Sequence, residues 1–154
     1  MTLEITLKSN DIIPACSKND LEKMQQLTEF VEALDQVDVP TDHFIHAGCY
    51  VRTCLARKGV LFTAAEIKVP TVVVINGKGT IFSGSKKARV NGYLVLRGEA
   101  HRQIAFVAEE DTYFTMFYAT KKTNPDDCEF EFTDQADKLI TRRQKCQERQ
   151  QRLG

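Results

Sequence analysis

Three histidines, five cysteines and one run of acids are the groups in this chain that could ligate a metal, attack a carbonyl or move a proton. His43 and His46 form an H-x-x-H in a strand-like segment, where residues an odd number apart point to opposite faces, so their imidazoles do not converge. Cys16, Cys49, Cys54, Cys128 and Cys146 contain no C-x-x-C pair, and an odd, scattered set builds neither a disulfide framework nor a zinc site. Cys49 and Cys54 would be nucleophiles only with a base beside them, and Cys54, in an apolar stretch, reads as a small buried hydrophobe. Glu109-Glu110-Asp111 could suggest paired carboxylates, but adjacent strand residues face opposite ways and cannot flank one bond. The run reads instead as a turn before the last long strand. There is no G-x-S-x-G elbow, no P-loop and no H-E-x-x-H. No catalytic residue, metal site or cofactor is therefore expected, and the chain reads as a non-enzyme.

Arginines offer a different chemistry. Alternation along H-A-G-C-Y-V-R-T-C-L places His46, Gly48, Tyr50 and Arg52 on one face, with Ala47, Cys49, Val51 and Thr53 on the other. If the first set points inward, Tyr50 and Arg52 lie near the loop carrying His101 and Arg102. Arg52 and Arg102 then form a fork for a carboxylate or phosphate. The competing reading pairs Arg52 with Glu66, Glu109 or Glu110, because buried charges are normally partnered. Ser85-Lys86-Lys87-Ala88-Arg89 reads as a solvated hairpin tip and, second to that, as an anion seat.

The elements that must position these groups fall into three parts. Residues 1–41 hold an amphipathic helix over 19–35, with Leu21, Met24, Leu27, Phe30, Val31 and Leu34 at helical spacing and Asn19 or Asp20 as cap. Its polar face is acidic, Asp20, Glu22, Glu29, Glu32, Asp35 and Asp38 standing against Lys23 alone. Residues 42–120 are short strand-like runs broken by turn residues, with Asn76-Gly77 and Asn91-Gly92 as the strongest hairpin signals. Seven or eight such strands without interleaved helices predict a mainly β fold, an antiparallel sandwich or barrel with a helix at each end. Residues 121–154 are acidic, then basic: from Lys138 onward Arg142, Arg143, Lys145, Arg149 and Arg152 join Lys138 against Glu148. That polar helix lacks a full apolar face, and docking on the acidic helix of the same or a neighbouring chain is its simplest use.

The stretch from Gly59 to Gly79, G-x5-A-x-I-x4-V-x6-G, resembles the first cupin motif in its glycine spacing, with Ala65, Ile67 and Val72 where ligands would stand. Gly92 to Gln103 resembles the second motif, with Gly98, Ala100 and Gln103 in place of its proline, glycine and histidine. The block from His43 to Thr120 also resembles small cupin-like proteins of tailed bacteriophages and prophages, through H-F, Gly48-x-Tyr50-x-Arg52 and E-D-T-x-x-T from Glu110 to Thr115. The resemblance implies a single jelly-roll (cupin-like) barrel with its metal-ligand positions replaced, and no catalytic activity. Gln103, a neutral donor, joins Tyr50, Arg52, His101 and Arg102 as the candidate ligand-binding set.

Composition narrows the function classes. The 154 residues carry a formal net charge of +0, which gives no global field toward nucleic acid or membrane. No aromatic side chain interleaves with the basic tail, which argues against a single-stranded nucleic-acid partner. The opening residues lack a basic-then-apolar layout, so the host cytoplasm is the expected location, or the virion for a structural protein. Two functions follow: a phage accessory protein binding a small polar or anionic molecule, a host signalling nucleotide among the candidates, or a virion or assembly module that packs as a homo-oligomer. Converging Arg52 and Arg102 favour the first, and an apolar outer face on Phe114, Met116 and Tyr118 favours the second. Elemental analysis of purified protein should find no stoichiometric transition metal. A full equivalent of iron, zinc, manganese or nickel, lost on replacing His46 or His101, would contradict the ligand argument.

Overall fold

Two long strands carry the architecture. A computed structural model describes residues 5–139 and Thr141. In chain order the elements are β1 (Ile12–Ile13), α1 (Lys18–Glu32), β2 (Thr41–His46), β3 (Cys49–Ala56), β4 (Leu61–Thr63), β5 (Thr71–Ser83), β6 (Lys86–Gly98), β7 (Ala105–Ala108), β8 (Thr112–Ala119) and α2 (Pro125–Phe132), followed by a 3₁₀ turn at Ala136–Lys138. β5 and β6 pair along their whole length, from Thr71↔Gly98 to Ser83↔Lys86. The first half of β5 pairs with β8 and its second half, Gly79–Phe82, with β7. The sheet runs β1-β6-β5-β8-β3-β2, and β4 joins β7 beyond the bend. The result is a mainly β jelly-roll barrel, antiparallel among the described residues except for the short parallel pairings of β1 and of Thr6 with β6.

Three local expectations change. Asn76-Gly77 and Asn91-Gly92 are not hairpins: Gly77 and Gly92 face each other in mid-ribbon, where β5 changes partners from β8 to β7. The true turn is at Gly84, with φ +62. Glycine at position 77 is required by close approach, since a Cβ there would stand 2.2 Å from Thr112 Oγ1. The H-A-G-C-Y run is likewise not one strand. Ala47 and Gly48 have φ of 52 and 74 and reverse the chain in a two-residue turn of the primed kind. His46 therefore sits exposed on β2, while Tyr50 and Arg52 turn inward on β3.

The N-terminal helix is capped by Ser17, whose Oγ accepts from Asp20 N at 3.1 Å, rather than by Asn19 or Asp20. Asp20 is instead a clasp. Its carboxylate accepts from the backbone and hydroxyl of Ser85, and the Ser85 backbone bond, foremost, holds it below the usual carboxylate range. The anion at this basic hairpin tip is thus the chain's own. Met24 is buried, whereas Phe30 and Leu34 are exposed, Leu34 lying beyond the helix end.

Sequence reading placed no helix over Pro125–Phe132, yet its start is locally encoded. Asn124 accepts from Asp126 N at 2.9 Å, Pro125 fits the first turn, and Asp126 and Asp127 complement the helix dipole. Its Cys128 and Phe132 pack with Tyr50, Ile67 and Leu139 into a second core beside the main one around Ile75, Val90, Leu96 and Phe106. The polar helix expected beyond Lys138, and its docking on α1, lie outside the described residues. Among those described, no helix is long and apolar enough to cross a membrane.

Gly77→Ala should lower the unfolding free energy by roughly 1–3 kcal/mol through overpacking against Thr112. Asn76→Ala, at the exposed neighbouring position, should change it by less than about 0.5 kcal/mol. Urea denaturation of both variants checks this, and equal effects would show that the close approach at Gly77 is not what excludes a side chain.

Candidate functional site

The inner wall of the barrel is set by register. Arg52 on β3 is opposite Met116 on β8, which is opposite Val73 on β5. Thr71, two residues before Val73, shares its face, so the row leads toward the seat of Arg102. The cavity inside is about 240 Å³. Phe62, Ile104, Phe114 and Met116 line it, and Arg52, Cys54, Thr63 and Arg102 add its inner polar groups. One side is closed by Thr28, Val31 and Glu32 of α1 with Asp35 just beyond it, another by Phe132, Gln135, Lys138 and Leu139 from the C-terminal segment.

Arg52 is partnered. Its Nη1 lies 3.2 Å from Glu129 Oε2, 3.4 Å from Thr141 Oγ1 and 3.4 Å from the Tyr50 hydroxyl. Thr141 Oγ1 also donates to the Glu129 carboxylate, and the guanidinium stands 5.7 Å from the centre of the Phe132 ring. Glu129 is fully buried, so the ion pair satisfies a carboxylate that would otherwise be stranded. The acid is therefore Glu129 from α2, and not Glu66, Glu109 or Glu110. Tyr50 is buried too, and desolvation pushes its phenol up to about 12 against the opposing pull of Arg52. Arg52 donates to its oxygen, and the same hydroxyl shares a hydrogen bond with His43 Nδ1 at 3.0 Å. His43 Nε2 faces Asp126 Oδ1 at 3.5 Å.

Arg102 is buried differently. Its Nη1 donates to Glu99 O at 2.9 Å and Val69 O at 3.4 Å, and its Nη2 to Thr71 Oγ1 at 2.5 Å. All three acceptors are neutral, and among the described residues no carboxylate lies within ion-pair distance. Desolvation lowers its pKa to about 10, where the cation still persists at neutral pH. The guanidinium lies on Gly98, where a Cβ would stand 2.5 Å from Cζ, so this glycine makes its seat.

The other two expected site residues sit elsewhere. His101, at φ +61, is exposed, with Nδ1 3.5 Å from Glu66 Oε1. Gln103 is buried, but its amide is committed to Ala64 O at 3.1 Å and Thr28 Oγ1 at 3.5 Å, tying the barrel to α1. Thus the structure brings Tyr50 and Arg52 into one network and Arg52 and Arg102 onto one cavity, with His101 and Gln103 apart from it. Cys54 lines the same cavity, where burial pushes its thiol up to about 11, so it is no activated nucleophile.

The cavity does not fit a cupin metal centre. Ala65 and Ile67 line it without a donor atom, and Val72 faces outward, its neighbour Val73 taking the inner position. Elsewhere His43, Asp126 and Glu129 bring one ligand atom each within 4.8 Å of one another. The Arg52 guanidinium already holds Glu129 there, and a divalent cation would have to sit against that charge. Sequence reading missed Asp126, Glu129 and Thr141. The Asn124-Pro125-Asp126-Asp127 start, with Cys128 and Phe132 four apart, is the signal that could have found the helix.

No model of a known family matches this chain, and no curated protein matches it. Among solved structures, it is similar to a cupin superfamily protein from Desulfitobacterium hafniense, at 13% identity over 57% of this chain and 83% of that one, with a TM-score of 0.46. A cupin 2 conserved barrel domain protein from Rhodopseudomonas palustris matches at 16% identity over 59% and 70%, TM-score 0.47. Ectoine synthase from P. lautus matches at 13% identity over 71% and 83%, TM-score 0.47. The barrel described above rests on the chain's own strand pairing, and these likenesses carry nothing about activity.

Arg52→Ala should cost about 3–5 kcal/mol, because it strands the buried Glu129 carboxylate. Replacing both members with apolar residues, Arg52→Met with Glu129→Leu, should recover most of that loss. Chemical denaturation of the two variants measures it, and a single variant as stable as the parent would mean that the pair is not a structural bond.

Proposed function

We propose that the barrel is a non-enzymatic binding module for a small anion with an apolar body, seated in the cavity with its charge toward Arg102. One observation carries this reading: a guanidinium buried against neutral oxygens, on the wall of a largely apolar cavity. A buried cation without a counterion costs several kcal/mol, and a ligand carboxylate would offset that cost while presenting its carbon skeleton to Phe62, Phe114 and Ile104. Arg52, neutralised by Glu129, would supply polarity at the wall rather than the main charge.

The cavity is small beside the roughly 300–1,000 Å³ typical of drug-sized sites. A monocarboxylate therefore suits it better than the host signalling nucleotide, whose phosphates would need more charge than Arg102 provides. The absence of donors on Ala65 and Ile67 supports a metal-free mode of binding. On the resemblance to phage cupin-like proteins, we place the chain as a phage accessory protein acting on a small molecule in the host cytoplasm. The assembly-module alternative loses its expected basis, since Phe114 and Met116 line the cavity and Tyr118 packs on Tyr50 and Phe132.

Thermal shift and calorimetry with benzoate, hexanoate and octanoate, their neutral amides, and mono- and dinucleotides test the proposal. At least one carboxylate should stabilise the fold, by about 2.7 kcal/mol at a hundred times its Kd, while its amide does not. Arg102→Gln should remove the shift while leaving the circular dichroism spectrum unchanged. Equal shifts by acid and amide, a shift retained in Arg102→Gln, or a response confined to nucleotides would each defeat it.

A further inference from the structure

The outer face of the sheet is apolar where a solvated antiparallel face would be polar. Register builds it in rows: Arg97↔Val72↔Phe117↔Val51↔Phe44 in one, Val95↔Val74↔Thr115↔Thr53↔Asp42 in the next, and Tyr93↔Asn76↔Tyr113↔Leu55 in the third. Four of its apolar side chains are open to solvent, Tyr93 at 65%, Tyr113 at 53%, Phe44 at 46% and Val95 at 37%, while Phe117 and Leu55 are half-buried. Of the residues in these rows only Thr115 also borders the cavity, so the face is otherwise separate from ligand binding and from the proposed function.

The charges bordering the rows indicate what covers the face. Arg97 ends a row at the β6 side, its Nε and Nη2 anchored on Asn10 O at 3.1 and 3.0 Å. Asp42 ends the adjacent row at the β2 side. A two-fold axis lying between two such faces and running along the strands lays β6 of one copy over β2 of the other. Arg97 then lies over Phe44, one row and about 6.8 Å along the strand from Asp42, within reach of its long side chain twice by symmetry around an apolar centre. An axis across the strands would instead lay β6 over β6, set Arg97 against Tyr93 and leave Asp42 far from either arginine.

We infer that this face is a self-association surface, pairing two copies of the chain about a two-fold axis parallel to the strands. Five strands at about 4.8 Å spacing and five residues at about 3.4 Å rise give a footprint of roughly 400 Å² per copy. That is about half the 800 Å² per partner of a standard stable interface, so the dimer is reversible and concentration-dependent.

Sedimentation equilibrium of the full chain over a hundredfold concentration range tests this. The parent should show a monomer–dimer equilibrium, and Val74→Glu should shift it to monomer without changing the circular dichroism spectrum. Arg97→Glu and Asp42→Arg should each weaken the dimer about tenfold, and the double variant should restore it. A monomer at every concentration would overturn the inference, whether the face is bare, covered by the chain's own terminal residues or reserved for another protein. A dimer unaffected by Val74→Glu, or a double variant no tighter than the singles, would overturn it equally.

Discussion

Glu129 is a carboxylate with no exposed surface, on a helix that follows the last strand, and the closed form of this barrel depends on how its charge is met. Arg52 meets it from β3 at 3.2 Å, across 77 residues of sequence. That bond sets α2 against the barrel and lets Phe132 contact Tyr50 at 5.6 Å between ring centroids. It also brings Phe132 and Leu139 over the cavity. Tyr50 is held on both sides, hydrogen-bonded to His43 and accepting from Arg52, so the pair reaches from α2 through the wall to β2. Such a buried pair adds little net stability over an apolar substitute, but breaking one member is costly. Its value here is geometric: it specifies one placement of the C-terminal segment.

The two arginines of the cavity illustrate how environment, not residue type, divides roles. Arg52 lies among a carboxylate, two hydroxyls and an aromatic face, and its charge is answered within the chain. Arg102 is held by carbonyls and a threonine hydroxyl, which orient the guanidinium without neutralising it. The first is structural. The second, among the described residues, has no carboxylate within ion-pair distance and stands beside largely apolar walls, the condition under which a charge is felt most strongly. Gly98 is part of that arrangement, because any side chain there would displace the guanidinium.

The hairpin signals show where local reading breaks down. Asn-Gly pairs favour tight turns because glycine tolerates positive φ, and that same freedom suits a ribbon that changes partners in mid-course. Gly77 and Gly92 serve the second purpose, facing each other where β5 passes from β8 to β7. Conversely, Ala47-Gly48 looked like strand because alanine rarely adopts the left-handed region, yet it forms the turn between β2 and β3. Choosing between turn and mid-strand requires the partner strands, which no local window contains.

What the sequence by itself determined are the features that depend on period and side-chain chemistry: a mainly β chain with an N-terminal amphipathic helix, Tyr50 and Arg52 on one face of a strand, and no donor atoms at Ala65 and Ile67. Alternation and propensity act over a few residues, so these were legible. Tertiary structure alone decided that Glu129 answers Arg52, that Arg102 has neutral partners, that His101 turns to solvent and Gln103 to Ala64 and Thr28, and that Val72 faces out while Val73 faces in. Each of these is a pairing between segments distant in the chain. Such pairings are chosen by strand register and by the cost of leaving a buried charge or amide unmet, and both exist only once the barrel has closed.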